Sequence, residues 1–486
     1  MKHTRILFCL LAAVILASCG ESAVAQTGDT PSDGTAPAQE EITEAVTEDI
    51  YADHLGSYDF GGETFSLYTR ANIAFHYALD TAETDGSPLN DAIFERNRRL
   101  EEKYNFRFTE FTEENQPTTA RAAILAGDDT YDIVTTRIVY AYNLATEGLL
   151  QPVTDLPLVD LSRPYWDQQL AEDLSIGDKS YFAVGAFNIT GYDFTHMLAF
   201  NKGLISQFDM GDPYETVRSG KWTLDEMQTM MRAVTSDVNG DGKMDKNDRY
   251  GLLSSAKQIL PNFWIAAGEL SVDKDAKNYP VPAFSGDEGF TKIFERTMDL
   301  AWTDSAWHLT TSTQNVDPDE ITMFTSDLGL FIDMTAFHLE SLRTMDTDFG
   351  ILPYPKADEA QKEYQCRIEG CELFGIPKTN MDLERTSVIL EAMASDSAKN
   401  VLPVYYDLLL KSKYTRDSAS EEMINIIFEN RVLDWGDTIW CDIVRDGPFM
   451  SMMQQNNRDL ASKAESLLKK LNKEIEKTVA AFEALD

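Results

Sequence analysis

Thr64-Phe65-Ser66-Leu67-Tyr68, Phe106-Arg107-Phe108-Thr109 and Tyr131-Asp132-Ile133-Val134-Thr135 decide the fold. Each reads as a short strand, the first with alternating character. Between them, Asn90 to Tyr104 reads as a helix with Ala92, Ile93, Leu100 and Tyr104 on one side. Thr118 to Ala126 reads as a shorter helix stopped by Gly127. Strand, helix, strand, helix, strand at this spacing predicts a parallel sheet with right-handed crossovers. Ligands on such sheets sit outside the carboxyl ends of the strands.

Further along, Met197 to Phe200 reads as a strand that opens a second region. Thr223 and Glu226 are spaced for a reciprocal capping box, starting a helix that runs to about Val234. Helices are expected over Asp287–Trp302 and Thr335–Thr344. Arg458 to Leu485 should be a long amphipathic helix, with Leu460, Ala464, Leu467, Leu468, Leu471, Ile475 and Val479 near helical spacing. The 486 residues exceed one compact core and suggest two or three domains of about 100–200 residues.

With 42 basic against 81 acidic side chains, the net charge is −39. Such a surface repels phosphate backbones, so nucleic acid is excluded as a partner. No GxSxG, HExxH or P-loop pattern is present. Cys366, Cys371 and Cys441 allow at most one disulfide, and three reduced buried thiols fit equally well.

Lys2 and Arg5 precede an apolar run from Ile6 to Ala17, too short to span a bilayer. It reads as a signal-peptide core. Leu16-Ala17-Ser18-Cys19-Gly20 resembles the lipobox of bacterial lipoproteins, which makes Cys19 the lipidated N-terminus. Residues 20–57 then read as a flexible acidic tether, with packed structure starting near Tyr58.

The sharpest local chemistry is the stretch Asp237 to Asp248. Asp237, Asn239, Asp241, the Lys243 carbonyl, Asp245 and Asp248 fall at positions 1, 3, 5, 7, 9 and 12, with Gly242 at position 6. A hard dication needs six to eight oxygens from such a loop, so one structural Ca2+ is expected. Asp248 stands where a sensor loop usually has Glu, giving a shorter reach.

Several segments together resemble bacterial extracellular solute-binding proteins of the carbohydrate type, which serve ABC importers. They are Ala126–Val134, Gly177–Val184, Leu198-Ala199-Phe200-Asn201-Lys202, Lys221–Glu226 and Leu352-Pro353-Tyr354-Pro355-Lys356. The resemblance implies an α/β, two-lobe periplasmic-binding-protein-like fold of type II, with discontinuous lobes joined by hinge crossovers. Residues 58–190 plus 371–400 would form one lobe. Residues 191–370 plus 401–486 would form the other with the C-terminal helices. It further implies a monomer that closes on a mono- or oligosaccharide and passes it to permease subunits, outside the cell membrane and without turnover. Sugar sites of that kind set aromatic faces beside acids, amides and arginines. The candidates are Arg70 and Asn72 after the first strand, Arg137 and Tyr140 after the third, Tyr192 and Asp193 at the first crossover, Trp264, Asp333, Glu372 at the return crossover, and Trp435 with its neighbour Trp440. Asp333-Met334-Thr335-Ala336-Phe337 replaces the Gly-x-Trp of many relatives, which puts stacking there in doubt.

Overall fold

The computed structural model describes residues 49–485, apart from 72–77, 304–306, 311–315 and 411–417. Cys19 and Asn72 therefore lie outside the described residues. The first lobe is laid down by β1 (Glu63–Arg70), α1 (Pro88–Tyr104), β2 (Phe106–Glu113), α2 (Gln116–Ala126), β3 (Ile133–Arg137), α3 (Ile138–Thr146), β4 (Leu150–Gln151) and α4 (Gln168–Leu174). The chain leaves through α5 (Ile189–Asp193) into β5 (His196–Asn201), α6 (Lys202–Gln207), α7 (Pro213–Arg218) and α8 (Leu224–Val234). Then come β6 (Tyr250–Ser255), α9 (Ile259–Ala266), the hairpin β7 (Val272–Lys274) and β8 (Pro280–Pro282), and α10 (Glu288–Met298). β9 (Trp307–Thr310), α11 (Pro318–Thr325), β10 (Gly329–Thr335) and β11 (Phe349–Leu352) complete the second lobe's sheet. The return runs through β12 (Cys366–Arg367) to β13 (Glu372–Pro377) and α12 (Leu383–Asn400). Last are α13 (Leu402–Leu410), α14 (Ser418–Glu429), β14 (Arg431–Val432), α15 (Met450–Gln454) and α16 (Leu460–Glu483).

Two five-stranded sheets organise the molecule, ordered β2-β1-β3-β13-β4 and β11-β5-β10-β6-β9. β1 pairs in parallel with both β2 and β3, as the spacing predicts. β1 is buried on both faces, with Phe65, Leu67 and Tyr68 all in the core. That is the burial of a parallel strand covered by helices on either side. α1 starts with Pro88 in its first turn and ends at Asn105, whose φ of 51° turns the chain back toward β2. Leu89, Ile93, Arg96, Leu100 and Tyr104 form its inward stripe. Gly127 stops α2 at φ 79°, its N–H returning to the carbonyls of Ala123 and Ile124.

In the second lobe, the Thr223 hydroxyl accepts the Glu226 N–H at 3.4 Å, which is one half of the predicted box. A box closed on both sides forms instead at Asp317 and Glu320 in α11. The expected helix at Thr335–Thr344 is a tighter 3₁₀ segment, Ala336–Leu342. Cys366, Cys371 and Cys441 are free and buried.

Two expectations about the ends change. Residues 49–57, read as tether, pack on the first lobe. Tyr51 and Leu55 lie against its core, Lys103 pairs with Asp53 at 3.0 Å, and Ser395 donates to the Tyr51 carbonyl at 2.6 Å. The aromatic and leucine in that stretch outweigh its acidic composition. α16 buries Leu460, Ala464, Leu467, Leu471 and Ile475 of the predicted stripe, while Leu468 and Val479 are half-buried. Its Phe482 packs edge-on against Tyr142 and Tyr181 of the first-lobe segment, so the C-terminal helix does not belong to the second lobe alone.

Candidate functional site

The order of the first sheet fixes where a site can form. β2 lies on one side of β1 and β3 on the other, so the winding reverses between β1 and β3. A crevice opens outside the carboxyl ends at such a reversal. Arg70 ends β1 and Arg137 ends β3. β13 runs antiparallel to β3 and sets Glu372 opposite Arg137. Arg70 Nη2 donates to Glu372 Oε1 at 3.0 Å, across 302 positions of sequence. Glu372 Oε2 is buried with no hydrogen-bond partner among the described residues. Burial pushes the Glu372 carboxyl up to about 7, even though Arg70 and Arg137 both favour its charge. Arg137 is exposed and pairs with no carboxylate among the described residues. Three residues on in α3, Tyr140 is 41% exposed. Arg70, Arg137 and Glu372 are thus brought together, and Tyr140 stands one turn beyond them on α3.

The second sheet has the same device. β6 is followed by β9 on one side and β10 on the other, so its reversal lies between β6 and β10. Here the polar groups are sealed. His196 Nδ1 lies 2.9 Å from Asp333 Oδ1, and its Nε2 lies 3.3 Å from Glu369 Oε2. Asn262 donates to Asp333 Oδ2 at 2.9 Å, and Ser254 reaches the same oxygen at 3.4 Å. Arg367 forks onto Asp437 at 2.6 and 2.9 Å and reaches Gln258 at 2.5 Å. Lys257 pairs with Glu369 at 3.2 Å, and Arg445 contacts both Asp437 and Glu369 at 3.2 and 3.4 Å. Three carboxylates thereby meet three permanent cations around His196. Burial alone would raise Glu369, but Lys257, His196, Arg445 and Arg367 hold its carboxyl well below the usual range. Burial alone would lower His196, yet Asp333 and Glu369 leave it raised.

One short segment joins the two reversals. Glu369 belongs to the second network and Glu372 to the first. Thr195 and Ile368 form a bridge between the two crossing strands. Thr190 of α5 accepts the Glu372 N–H at 3.1 Å. The carboxyl ends of both sheets therefore converge on residues 369–372.

The remaining candidates stand elsewhere. Trp264 was read as a stacking platform, but it is 2% exposed on α9, whose every residue is buried. Its N–H donates to Asp434 at 2.9 Å, and it packs between Phe290 and Phe449. Trp435 donates to the Asp173 carbonyl at 2.7 Å and packs on Tyr142 and Trp440. Both indoles are core residues with no free face. Tyr192 lies under the Arg431 guanidinium at 4.0 Å, and Asp193 is fully buried against the Tyr405 hydroxyl at 2.8 Å. Both brace the crossover. Asp333 sits at its reversal but is committed to His196 and Asn262. The reading missed His196, Lys257, Arg367, Asp437 and Arg445. Glu369, three residues before Glu372 in the return crossover, was not among the candidates.

The acidic loop lies between the end of α8 and the start of β6, at the strand end remote from the reversal. Asp237, Asn239, Asp241 and Asp245 each fold an oxygen onto an N–H further along the loop. Gly240 and Gly242 take φ of 73° and 81°. Asp248 is fully buried, and its two oxygens accept the N–H groups of Val238 and Asp245 at 3.0 and 2.9 Å. Its short arm braces the loop from within, while Asn239, Asp241 and Asp245 are exposed and Asp237 half-buried. The set is all oxygen, which suits a hard cation.

No known family profile matches the chain, and no curated protein does. Solved structures do match. An ABC substrate-binding protein of Listeria monocytogenes in complex with cycloalternan aligns over 85% of this chain and 99% of its own, at TM-score 0.54 and 12% identity. The maltose/maltodextrin-binding domain MalE of Bdellovibrio bacteriovorus, bound to maltotriose, covers 84% and 100% at TM-score 0.51 and 15% identity. UgpB of Mycobacterium tuberculosis, in complex with glycerophosphocholine, covers 86% and 99% at TM-score 0.54 and 13% identity. The chain has their two-lobe α/β fold over nearly their whole length. Among the described residues, no helix is long and apolar enough to cross a membrane.

Proposed function

We propose that this chain is a solute-binding protein that captures a small hydroxylated solute, a mono- or oligosaccharide, between its two sheets. It would hand that solute to the permease subunits of an ABC importer. The observation that carries this is the convergence of both sheet reversals on residues 369–372, with Arg137 and one Glu372 oxygen left unengaged among the described residues. A neutral sugar suits them: hydroxyls can both accept from the guanidinium and donate to the carboxyl oxygen. Similarity to proteins whose structures hold cycloalternan and maltotriose supports the class. One chain supplies both walls, so a monomer suffices. Lipidation of Cys19 would hold the protein at the outer face of the membrane, where an importer meets its cargo.

A glycosidase is the rival. Glu372 near neutrality beside ionised Glu369 has the look of an acid–base pair. Against it, Glu369 is already bound by Lys257, His196, Gln258 and Arg445, which leaves no carboxylate free to attack. A thermal-shift screen across sugars separates the two. Ligand at 100 times its Kd should stabilise the chain by about 3 kcal/mol, with the sugar recovered unchanged. Product on chromatography would overturn the binding reading, and so would the lack of any shift.

We also propose one Ca2+ in the loop Asp237–Asp248, pinning α8 to β6 away from the cleft. The ion would be held by Asp237, Asn239, Asp241, the Lys243 carbonyl and Asp245, with Asp248 as brace. Calorimetric titration with Ca2+ should show one site, lost in Asp241→Ala; no heat in the parent chain would refute it.

A further inference from the structure

The crevice at the first reversal does not end at Glu372. Arg70 also lines a groove of about 340 Å³ that runs away from it between α2 and α3. Asn115, Thr118 and Arg121 form one wall, and Tyr140 and Asn143 the other. The volume lies in the range of small-molecule pockets, about 300–1,000 Å³. Tyr140 is among the few large aromatic side chains left exposed, at 41%, and its hydroxyl makes no hydrogen bond among the described residues. A ring can lie on it without breaking an existing contact. Around it stand amides and a hydroxyl, which both donate and accept. At the far end, Arg121 and Glu147 neutralise each other at 2.5 Å. Glu114 and Arg70 also line the groove, so two carboxylates and two guanidiniums leave it without net charge, and beside one aromatic face it offers both donors and acceptors, which is the chemistry of a neutral polyol ring.

We infer that this groove continues the binding cleft and receives the second and later rings of a linear oligosaccharide, so that the solute is a chain rather than a monosaccharide. The inference rests on the carbohydrate-binding reading above and narrows it. Arg70 marks the junction: it fixes Glu372 in the cleft and opens onto the groove.

The test is calorimetric titration of the full chain with malto-, cello- and xylo-oligosaccharides of one to five residues. In the series that binds, affinity should rise about ten-fold or more between one ring and three. Tyr140→Ala should weaken the trimer about five- to ten-fold and leave the shortest ligand that still binds unchanged; Tyr140→Phe should keep parent affinity. Tyr140 is on the surface, so the parent melting temperature should be retained. A monosaccharide that binds as tightly as the pentamer would overturn the inference while leaving the binding reading intact. So would a length dependence that survives Tyr140→Ala. Failure of every sugar to bind or to shift the parent chain would overturn both.

Discussion

The two sheet reversals are topologically alike and chemically opposite. At the one between β6 and β10, every charged group is engaged: Asp333, Glu369 and Asp437 meet Lys257, Arg367 and Arg445, with His196 between them. At the one between β1 and β3, among the described residues, Arg137 lacks a carboxylate partner and Glu372 keeps an orphan oxygen. Burying charges in pairs costs desolvation and adds little net stability, but it fixes geometry. Leaving a buried acceptor unmet costs free energy that a ligand can return. On the proposed function, the second reversal serves as a rigid floor and the first as the side left open for the solute.

The sharpest way to break this comparison is to cut the floor. Arg367 and Asp437 are both fully buried, and their fork is the centre of the network. Arg367→Met should take from buried Asp437 its forked partner, leaving Arg445 alone beside it, and cost about 3–5 kcal/mol, read as a fall in the urea midpoint at unchanged slope. Pairing it with Asp437→Leu should restore much of the loss, because an apolar pair of similar volume needs no desolvation. If Arg367→Met were as stable as the parent, the network would be ornament and the contrast would fail.

How far the sequence reached follows the same line. β1, α1, β2, α2 and β3 are local objects, each with its own period and stop signal, and parallel pairing follows from their spacing. The rim of Arg70, Arg137 and Glu372 was legible because the ends of strands are. The floor was not. Asp333 was named from the sequence, but its partners His196, Gln258, Arg367 and Asp437 come from separate segments and share no motif, so only the tertiary fold brings them together. Trp264 and Trp435 were misread for a related reason. An indole with an N–H to satisfy looks the same whether its partner is a sugar or a buried Asp434, and burial is not a local property.

A smaller effect tests the open side by pH. Glu372 titrates near 4.5 when unfolded and at about 7 when folded, chiefly through burial. Between those values the native state holds a proton that the unfolded state has released. Stability should therefore fall as pH rises from about 4.5 to 7, by about 3 kcal/mol if the shift is realised in full. Asp434 and Asp173 are also raised, to about 6, and act in the same direction. The difference between parent and Glu372→Gln isolates the site: the parent's excess loss should vanish in the variant. Parallel pH profiles for the two proteins would show that Glu372 is not desolvated, and the cost assigned to the open rim would go with it.

The smallest change in stability should come from Arg137→Ala, and it is the most discriminating of the three. Arg137 is exposed and without an ion-pair partner among the described residues, so its loss should shift folding by under about 0.5 kcal/mol. Its loss should instead be read in ligand binding. A hydrogen bond from a charged donor is worth about 1.5–3 kcal/mol, which is roughly ten- to a hundred-fold in Kd. Arg137→Lys should recover only part of this, since an ammonium lacks the planar fork that can span two hydroxyls. A protein that melts like the parent but holds its sugar weakly is what an open recognition rim requires. Unchanged affinity would place the ligand on the floor instead, and the roles assigned to the two reversals would have to be exchanged.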